Sequence, residues 1–479
     1  MAIIMVGLKP LATTSAPRRK ESSRSSWAAR YTFSDMGFSS AWAGAMLRPC
    51  RPDSLSMLNA LRSCGPLVYD QNNPRAVARY ILLLQSRKPP TAYPSLGGSM
   101  KHYLAAVLLC VTQGLAAQPY GSIVGDALKL GTPNDHWFSA RGKQIAYLID
   151  GDKGSVEATL TLSMFSPAIE PHLDAGRIYS YGSFYTRTFY GDRTDVVLVF
   201  DLENALPIKE IEIPPKSAGI GHGGMIGLVE ERFIGVWNIT PAMSVSIVDT
   251  ADDRFVGEIS TPGCAGVYPV DAGFLMACGD GRIQYIRLDS VGEEVDRIRS
   301  EPFFSVTEDP VFDYAVPTPE GWMFLSLEGQ VYEVTVANSE VQVSQPWSIN
   351  PQDAEDAVDL NGVPIDADDD WRIGGRQPFA YNAEAGLLVT LMHQGGGQET
   401  FEDPGTQVWA FSTKTRRRAY VLELDEETKG SSVELTADGE PLLLIAPANG
   451  GELLIHDALN SRLLRTVPEI NASTLQRLE

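Results

Sequence analysis

The chain alternates short apolar runs with polar turns, and one stretch shows the pattern most plainly. In Val196–Ile213, VVLVFDLENALPIKEIEI, an apolar run ends at an Asp, a short polar turn follows, and a second run closes in Ile/Glu alternation. Alternation of period two, bounded by turn residues, predicts a β-hairpin. Six other segments share the outline. Taking the end of each unit's inner apolar strand as a marker gives Asp150, Asp201, Asp249, Asp289, Ala337, Ser412 and Asp457, spaced by 40 to 51 residues apart from one gap of 75. A β-branched or Leu residue stands ten positions after most markers: Leu160, Ile211, Ile259, Leu422 and Val467. Each marker therefore opens a turn, after which the next strand returns beside the one just left. Asp suits this place because its carboxylate accepts hydrogen bonds from turn amides.

Units of about 40–50 residues with four short strands each have the period of β-propeller blades. Seven markers predict an all-β, seven-bladed β-propeller over residues 118–479, with little helix. No blade buries both of its faces alone, so neighbours must cover them. The long gap marks an insertion, Trp347–Pro378, on one blade-linking loop. A pair of β-sandwiches is the alternative, and the regular spacing fits it less well.

Residues 1–99 break this pattern. They are Arg/Ser-rich and hold 13 Lys/Arg against 4 Asp/Glu. Either they form a basic, disordered extension or they lie upstream of the natural start. What begins at Met100 favours the second reading. MKHYLAAVLLCVTQGLAAQPYG has Lys101 as a short positive region, an apolar core over Leu104–Val111, and small residues ending in Ala116 and Ala117. That is the anatomy of a secretory signal peptide over 100–117, with an apolar run too short to span a bilayer. A buried core helix is the competing reading of the same run. Cys110 lacks the small preceding residue of a lipoprotein signal, so no lipid anchor is expected. Nothing later is apolar for long enough to span a membrane, and no membrane partner is expected.

Export would remove Cys50, Cys64 and Cys110 and leave Cys264 and Cys278. Two lone cysteines in an exported chain pair, and closing a loop of this size stabilises a fold by about 3 kcal/mol. A metal or redox pair is the sharper alternative, but no His or further Cys is placed nearby to complete a site. Charge narrows the partners. The formal net charge is −21, and residues 100–479 hold 26 basic against 56 acidic side chains. Such a surface repels phosphate and argues against a nucleic-acid partner.

Catalytic motifs are scarce. There is no Gly-x-Ser-x-Gly elbow, Walker loop or His-Glu-x-x-His. His136, His172, His222, His393 and His456 stand at no metal-ligand spacing from one another. His222 in GIGHGG reads as part of a Gly-rich turn. The acidic run Asp366, Asp368, Asp369, Asp370 lacks the Gly and closing Glu of an EF-hand and reads as a solvated turn. The residues alone reach an exported, acidic propeller that binds something, and a stand-alone binding module without catalysis fits that reading.

Several segments resemble the heavy (large) subunit of the quinone-dependent amine dehydrogenases, which oxidise methylamine or aromatic amines in the bacterial periplasm. The longest is Ser183–Pro214, SFYTRTFYGDRTDVVLVFDLENALPIKEIEIP. The second is DDWRIGGRQPFAY, where Asp369, Asp370, Trp371, Arg372, Gly374, Gly375, Gln377, Ala380 and Tyr381 fit the family pattern. Cys264 and Cys278, followed by Asp280-Gly281, fit the family's internal disulfide, and DGEPLLL from Asp438 resembles a family strand. Met392-His393 with Val408-Trp409 leans toward the aromatic-amine branch. The resemblance implies a seven-bladed propeller in an α2β2 assembly. The heavy subunit would carry no cofactor, tryptophan tryptophylquinone residing in the small subunit, with a cupredoxin or c-type cytochrome as electron acceptor. It also implies a substrate-channel Phe just ahead of the first blade, which makes Phe138 the candidate and Trp137 its rival. The other reading of Phe138 is a ring packing the first blade.

Overall fold

Alternating apolar positions make strands wherever the chain buries one side against a neighbour. In the computed structural model the described residues are 129–165, 168–216, 224–350, 359–360, 362 and 370–478. Segments 1–99 and 100–117, His222, and Asp366, Asp368 and Asp369 lie outside them. Within the described residues the chain forms thirty strands and a single 3-10 turn, Gln398–Thr400. The strands group into seven antiparallel sheets, the blades of a β-propeller. The expected all-β fold and blade number are both found.

Blade 2 runs outward from the axis as Ile169–His172, Arg177–Arg187, Tyr190–Asp201 and Leu206–Ile213. Blades 3 and 4 repeat the order from Ile226–Val229 to Arg254–Ser260 and from Cys264–Val270 to Glu294–Arg299. Blade 5 runs from Val316–Thr318 to Glu340–Val343, and blade 7 from Gly430–Leu435 to Leu463–Val467. In blade 6 the inner strand is broken into Trp371–Ile373 and Phe379–Asn382, both paired with Leu387–Gln394. Blade 1 takes its inner strand, Thr474–Arg477, from the far end of the chain, beside Trp137–Arg141, Ile145–Asp150 and Ser155–Thr161. This last pairing closes the ring non-covalently. The insertion does link blades 5 and 6, and its ends are strands: Trp347–Ser348 pairs with Gln330–Val331 of blade 5, and Trp371–Ile373 joins blade 6.

The marker residues need one correction. They end the third strand of each blade, counted from the axis, and not the inner one. Both strands are buried on two sides, so their apolar runs look alike in sequence. The turn chemistry is as expected. Asp150, Asp201, Asp249, Asp289 and Asp457 each accept backbone N–H bonds of 2.9–3.1 Å through Oδ1 from residues two to four positions ahead. In six blades a β-bulge between third and outer strands lies just before or at the marker. Blade 5 has Ala337 there, no bulge, and a two-residue turn with Asn338 and Ser339 at φ 53° and 60°.

The apolar core lies between blades. One cluster joins blades 2, 3 and 4 through residues such as Val197, Ile234 and Phe274. Others join blades 4 and 5, 5 and 6, 6 and 7, 7 and 1, and 1 and 2, so every neighbouring pair is covered. Each fully buried Val, Leu or Ile contributes about 1.5–3 kcal/mol. Cys264 and Cys278 stand directly opposite each other on the two innermost strands of blade 4 and are disulfide-bonded, with Cα atoms 4.0 Å apart.

The disulfide constrains the unfolded chain more than it shapes a hairpin that is already paired. The double substitution Cys264→Ser/Cys278→Ser is expected to lower stability by about 3 kcal/mol. Denaturant unfolding of the variant against wild type, with and without reductant, measures it. A reductant-insensitive wild-type midpoint equal to the variant's would show that the bond contributes nothing.

Candidate functional site

The inner strands of all seven blades line a central channel of about 420 Å³. Turns joining second to third strands, with the blade-to-blade connections, form one face of the ring, called here the upper face. The Asp turns form the lower face. Several channel-facing polar groups are engaged with the chain itself, while Ser139 Oγ, also on the channel, has no hydrogen-bond partner among the described residues. Buried Arg141 donates from Nε to Thr474 Oγ1 and from Nη2 to Ser473 Oγ, each at 3.0 Å. Burial, reinforced by the nearby charge of Arg376, lowers its pKa to about 10 against the opposing influence of Tyr181. Leu228 N–H donates to Glu170 Oε1 at 3.1 Å, and Arg477 Nη1 to the Tyr381 carbonyl at 3.0 Å. Among the described residues no group of His, Cys, Asp or Glu could hold a metal ion.

Within the segment DDWRIGGRQPFAY, Gly375 and Gln377 join blade 6 to blades 7 and 1, while Trp371, Ile373 and Phe379 pack toward blade 5. Gln377 is 1% exposed. Its Nε2 donates to the Val433 carbonyl and to Glu434 Oε2, both at 3.0 Å, and its Oε1 accepts from Leu475 N–H at 2.8 Å. Tyr314, ahead of the inner strand of blade 5, hydrogen-bonds the same side chain. One amide thus touches four blades. Two glycines allow the approach. A Cβ on Gly374 would stand 2.4 Å from the His393 ring and 2.5 Å from the Asp403 carbonyl oxygen, and Gly375 has φ +119° with Ser431 O at 2.7 Å. Trp371 packs on Trp409 with ring centres 5.5 Å apart, Arg372 donates to the Trp371 carbonyl at 3.0 Å, and Tyr381 lies in the inner strand two residues after Phe379. Of this segment Asp370 and the residues after it are described, and Asp369 is not.

Phe138 and Trp137 sit side by side in the second strand of blade 1. Phe138, 0% exposed, packs between blades 1 and 7 with Leu442, Leu444 and Ile455. Trp137, 3% exposed, packs between blades 1 and 2 with Leu148 and Leu160. Neither ring lines the central channel. Strand alternation sends them to opposite faces of the blade, and in the described chain both are core residues.

Three groups that the sequence did not single out stand near these elements. Asp195, 2% exposed, accepts both Arg193 Nε and Nη2 at 2.7 and 2.8 Å and Ser183 Oγ at 2.6 Å. Lys216, 1% exposed, holds its Nζ 4.0 Å from the centre of the Tyr181 ring. Burial lowers the Lys216 pKa to about 8, with Asp195 opposing and Arg193 adding to the shift. His136 bridges the entry to blade 1 and the first turn of blade 7, with Nδ1 2.7 Å from Asp152 Oδ1 and Nε2 3.1 Å from Asp438 Oδ2. Burial acts to lower its pKa, but the hydrogen bond to Asp152 and the charges of Asp438 and Asp152 outweigh it and the pKa stands above 6.5. For Asp438 burial acts upward, yet hydrogen bonds from Thr436 and Glu440 N–H and the His136 charge hold it below 3.8.

Replacing Gln377 by Leu leaves Leu475 N–H, the Val433 carbonyl and Glu434 without their partner. It is expected to cost about 3–4 kcal/mol by denaturant unfolding and to deprotect the Leu475 amide in hydrogen exchange. Unchanged protection at Leu475 would refute the seam role. For His136, the raised pKa means a contribution full below about pH 6.5 and lost as pH rises through the folded value. For Asp438, the lowered pKa means a contribution present above about pH 3.8 and lost as pH falls through the folded value. His136→Gln is therefore expected to cost about 1 kcal/mol at about pH 5.5 and less at about pH 8.5. Equal losses at both would mean the clamp is uncharged.

With this geometry in view, similarity to known proteins is informative. A family model described as methylamine dehydrogenase heavy chain (MADH) matches residues 132–476, from the second strand of blade 1 region to the ring-closing strand. The methylamine dehydrogenase heavy chain of Paracoccus versutus is 26% identical over 333 residues, which cover 68% of this chain and 73% of that one. Its counterpart from Methylophilus methylotrophus is 23% identical over 345 residues, covering 68% and 77%. The match spans every blade, and the chain belongs to the methylamine dehydrogenase heavy chain family.

Proposed function

We propose that this chain is the heavy subunit of a periplasmic amine dehydrogenase, scaffolding and gating a small subunit in an α2β2 heterotetramer. The small subunit would carry tryptophan tryptophylquinone, oxidatively deaminate primary amines to aldehyde and ammonia, and pass electrons to a cupredoxin or c-type cytochrome. The observation carrying the reading is the family match over residues 132–476. When present, the quinone supplies a two-electron sink for the amine. In this chain Trp371 and Trp409, with ring centres 5.5 Å apart and planes tilted by 48°, make a packing contact between strands of blade 6.

The role left to this chain is mechanical. The rigid ring holds a partner surface in one geometry, which an enzyme needs if substrate access is to be fixed to within a fraction of an ångström. The disulfide supports an oxidising compartment, and with the signal at Met100 it supports export. The acidic balance of residues 100–479 supports an electron acceptor with a basic docking patch.

Co-expression with the cysteine-rich small-subunit reading frame of the same genome tests the proposal. The expected outcome is a co-purifying complex that reduces an artificial dye with added primary amine, while either subunit alone does not. Mass spectrometry of the exported chain should find its first residue directly after Ala116 or Ala117. A chain that elutes alone and supports no amine oxidation would reject the reading.

A further inference from the structure

The second and third strands of blade 2 are unlike those of the other blades. They run for 11 and 12 residues, where the equivalent strands elsewhere have five to eight. The inner strand covers only Arg177–Ser180 of the second, and the outer strand covers only Asp195–Asp201 of the third. Phe184–Arg187 and Tyr190–Thr194 therefore pair with each other alone and form a two-stranded finger on the upper face. A ribbon of two strands is marginal in water by itself.

This finger is stiffened at both ends. At its base, Arg193 and Ser183 hold the buried Asp195, and Gly182 admits Ser163 so closely that a Cβ would lie 2.3 Å from the Ser163 Cβ. Tyr185 packs edge-on against Phe165 at 5.4 Å. At the tip, Asp192 N–H donates to Thr186 Oγ1 at 3.1 Å, Thr188 and Gly191 take φ of 61° and 106°, and the Arg187 guanidinium lies 5.7 Å from the Tyr190 ring centre. Yet the tip carries apolar surface that nothing in the described chain covers: Phe184, Phe189 and Tyr190 are 39%, 66% and 63% exposed. Rigid, exposed aromatics on a pre-ordered element have the properties of interface anchors, which bury large area at little entropic cost.

We propose that the finger Phe184–Thr194 is the docking element by which this chain grips its small subunit, Phe189 and Tyr190 entering an apolar groove of that partner. The proposal rests on the function proposed above. Charge selects the occupant. A second copy would bring its own excess of 56 acidic over 26 basic residues against the same excess here. An anionic lipid surface would meet the same repulsion. A partner subunit without net negative charge meets neither.

The test uses the full chain co-expressed with the small subunit. Phe189→Ser/Tyr190→Ser, and Phe189→Ser alone as a milder variant, are compared with Leu206→Ser/Ile208→Ser. Those two control residues are each 55% exposed beside the lower-face turn of the same blade. Loss of the tip rings is expected to weaken small-subunit affinity by at least about 30-fold. The thermal midpoint of the isolated chain should stay within about 2 °C, and the control pair should bind as wild type. Wild-type affinity in the tip variants overturns the finger while leaving the functional reading intact. A wild-type chain that binds no small subunit overturns both. Tip-dependent self-association in sedimentation, or tip-dependent binding to phosphatidylethanolamine/phosphatidylglycerol vesicles, assigns the aromatics to another occupant and overturns it as well.

Discussion

A ring of sheets is held together sideways by apolar packing, which has no direction, so something directional must fix how the last blade meets the first. In this chain that contact is the buried Gln377 amide. It donates to Val433 and Glu434 of blade 7, accepts from Leu475 of the strand that completes blade 1, and meets Tyr314 of blade 5. Glutamine is suited to this because one short side chain offers both donors and an acceptor. With the amide itself 1% exposed, each of these bonds is expensive to leave unmade. Slippage of one blade against the next would strand several at once. Around it, Gly375 lets the backbone of blade 6 approach Ser431 of blade 7, Gly374 makes room for His393 and Asp403 within blade 6, and Arg141, Ser473 and Thr474 bind the last strand to the first.

The Asp turns on the lower face show the opposite economy. Each carboxylate serves amides of its own turn, a local solution, although Asp249 also accepts from Arg232, which donates onward to the Ser290 carbonyl of blade 4. Ser412 does the task more weakly through its hydroxyl, with Thr415 N at 3.4 Å, and Ala337 is replaced altogether by a two-residue turn. Local repetition with tolerated exceptions is what a sequence pattern reports well. A unique, long-range closure is what it reports poorly.

That difference explains what could be read from the residues. The blade count followed from markers recurring every 40 to 51 residues but for one longer gap, and the disulfide from two cysteines left in an exported chain. Which strand the markers ended did not follow, because the inner and third strands are apolar on both sides and differ only in what lies beside them. The closing strand, Thr474–Arg477, is four residues of mixed character, TLQR, and nothing in them announces a sheet. His136 and Asp438 are 302 positions apart, and Lys216 is an ordinary lysine after two prolines until Tyr181 is placed beneath it. Phe138 was read as a channel residue or a core residue from its position ahead of a blade. In the described chain it is buried between blades 1 and 7.

Several polar groups of the described chain hold the ring itself: Arg141, Glu170 and Arg477 brace the channel wall, Asp195 anchors a hairpin, and His136 clamps the seam. Exposed aromatic surface stands at the end of a stiff two-stranded finger. Rigidity below and exposed aromatic rings above are the features of a part that positions another molecule. On the function proposed above, such a heavy subunit would limit how its partner can sit, and the precision of that limit would derive from the ring closure around Gln377.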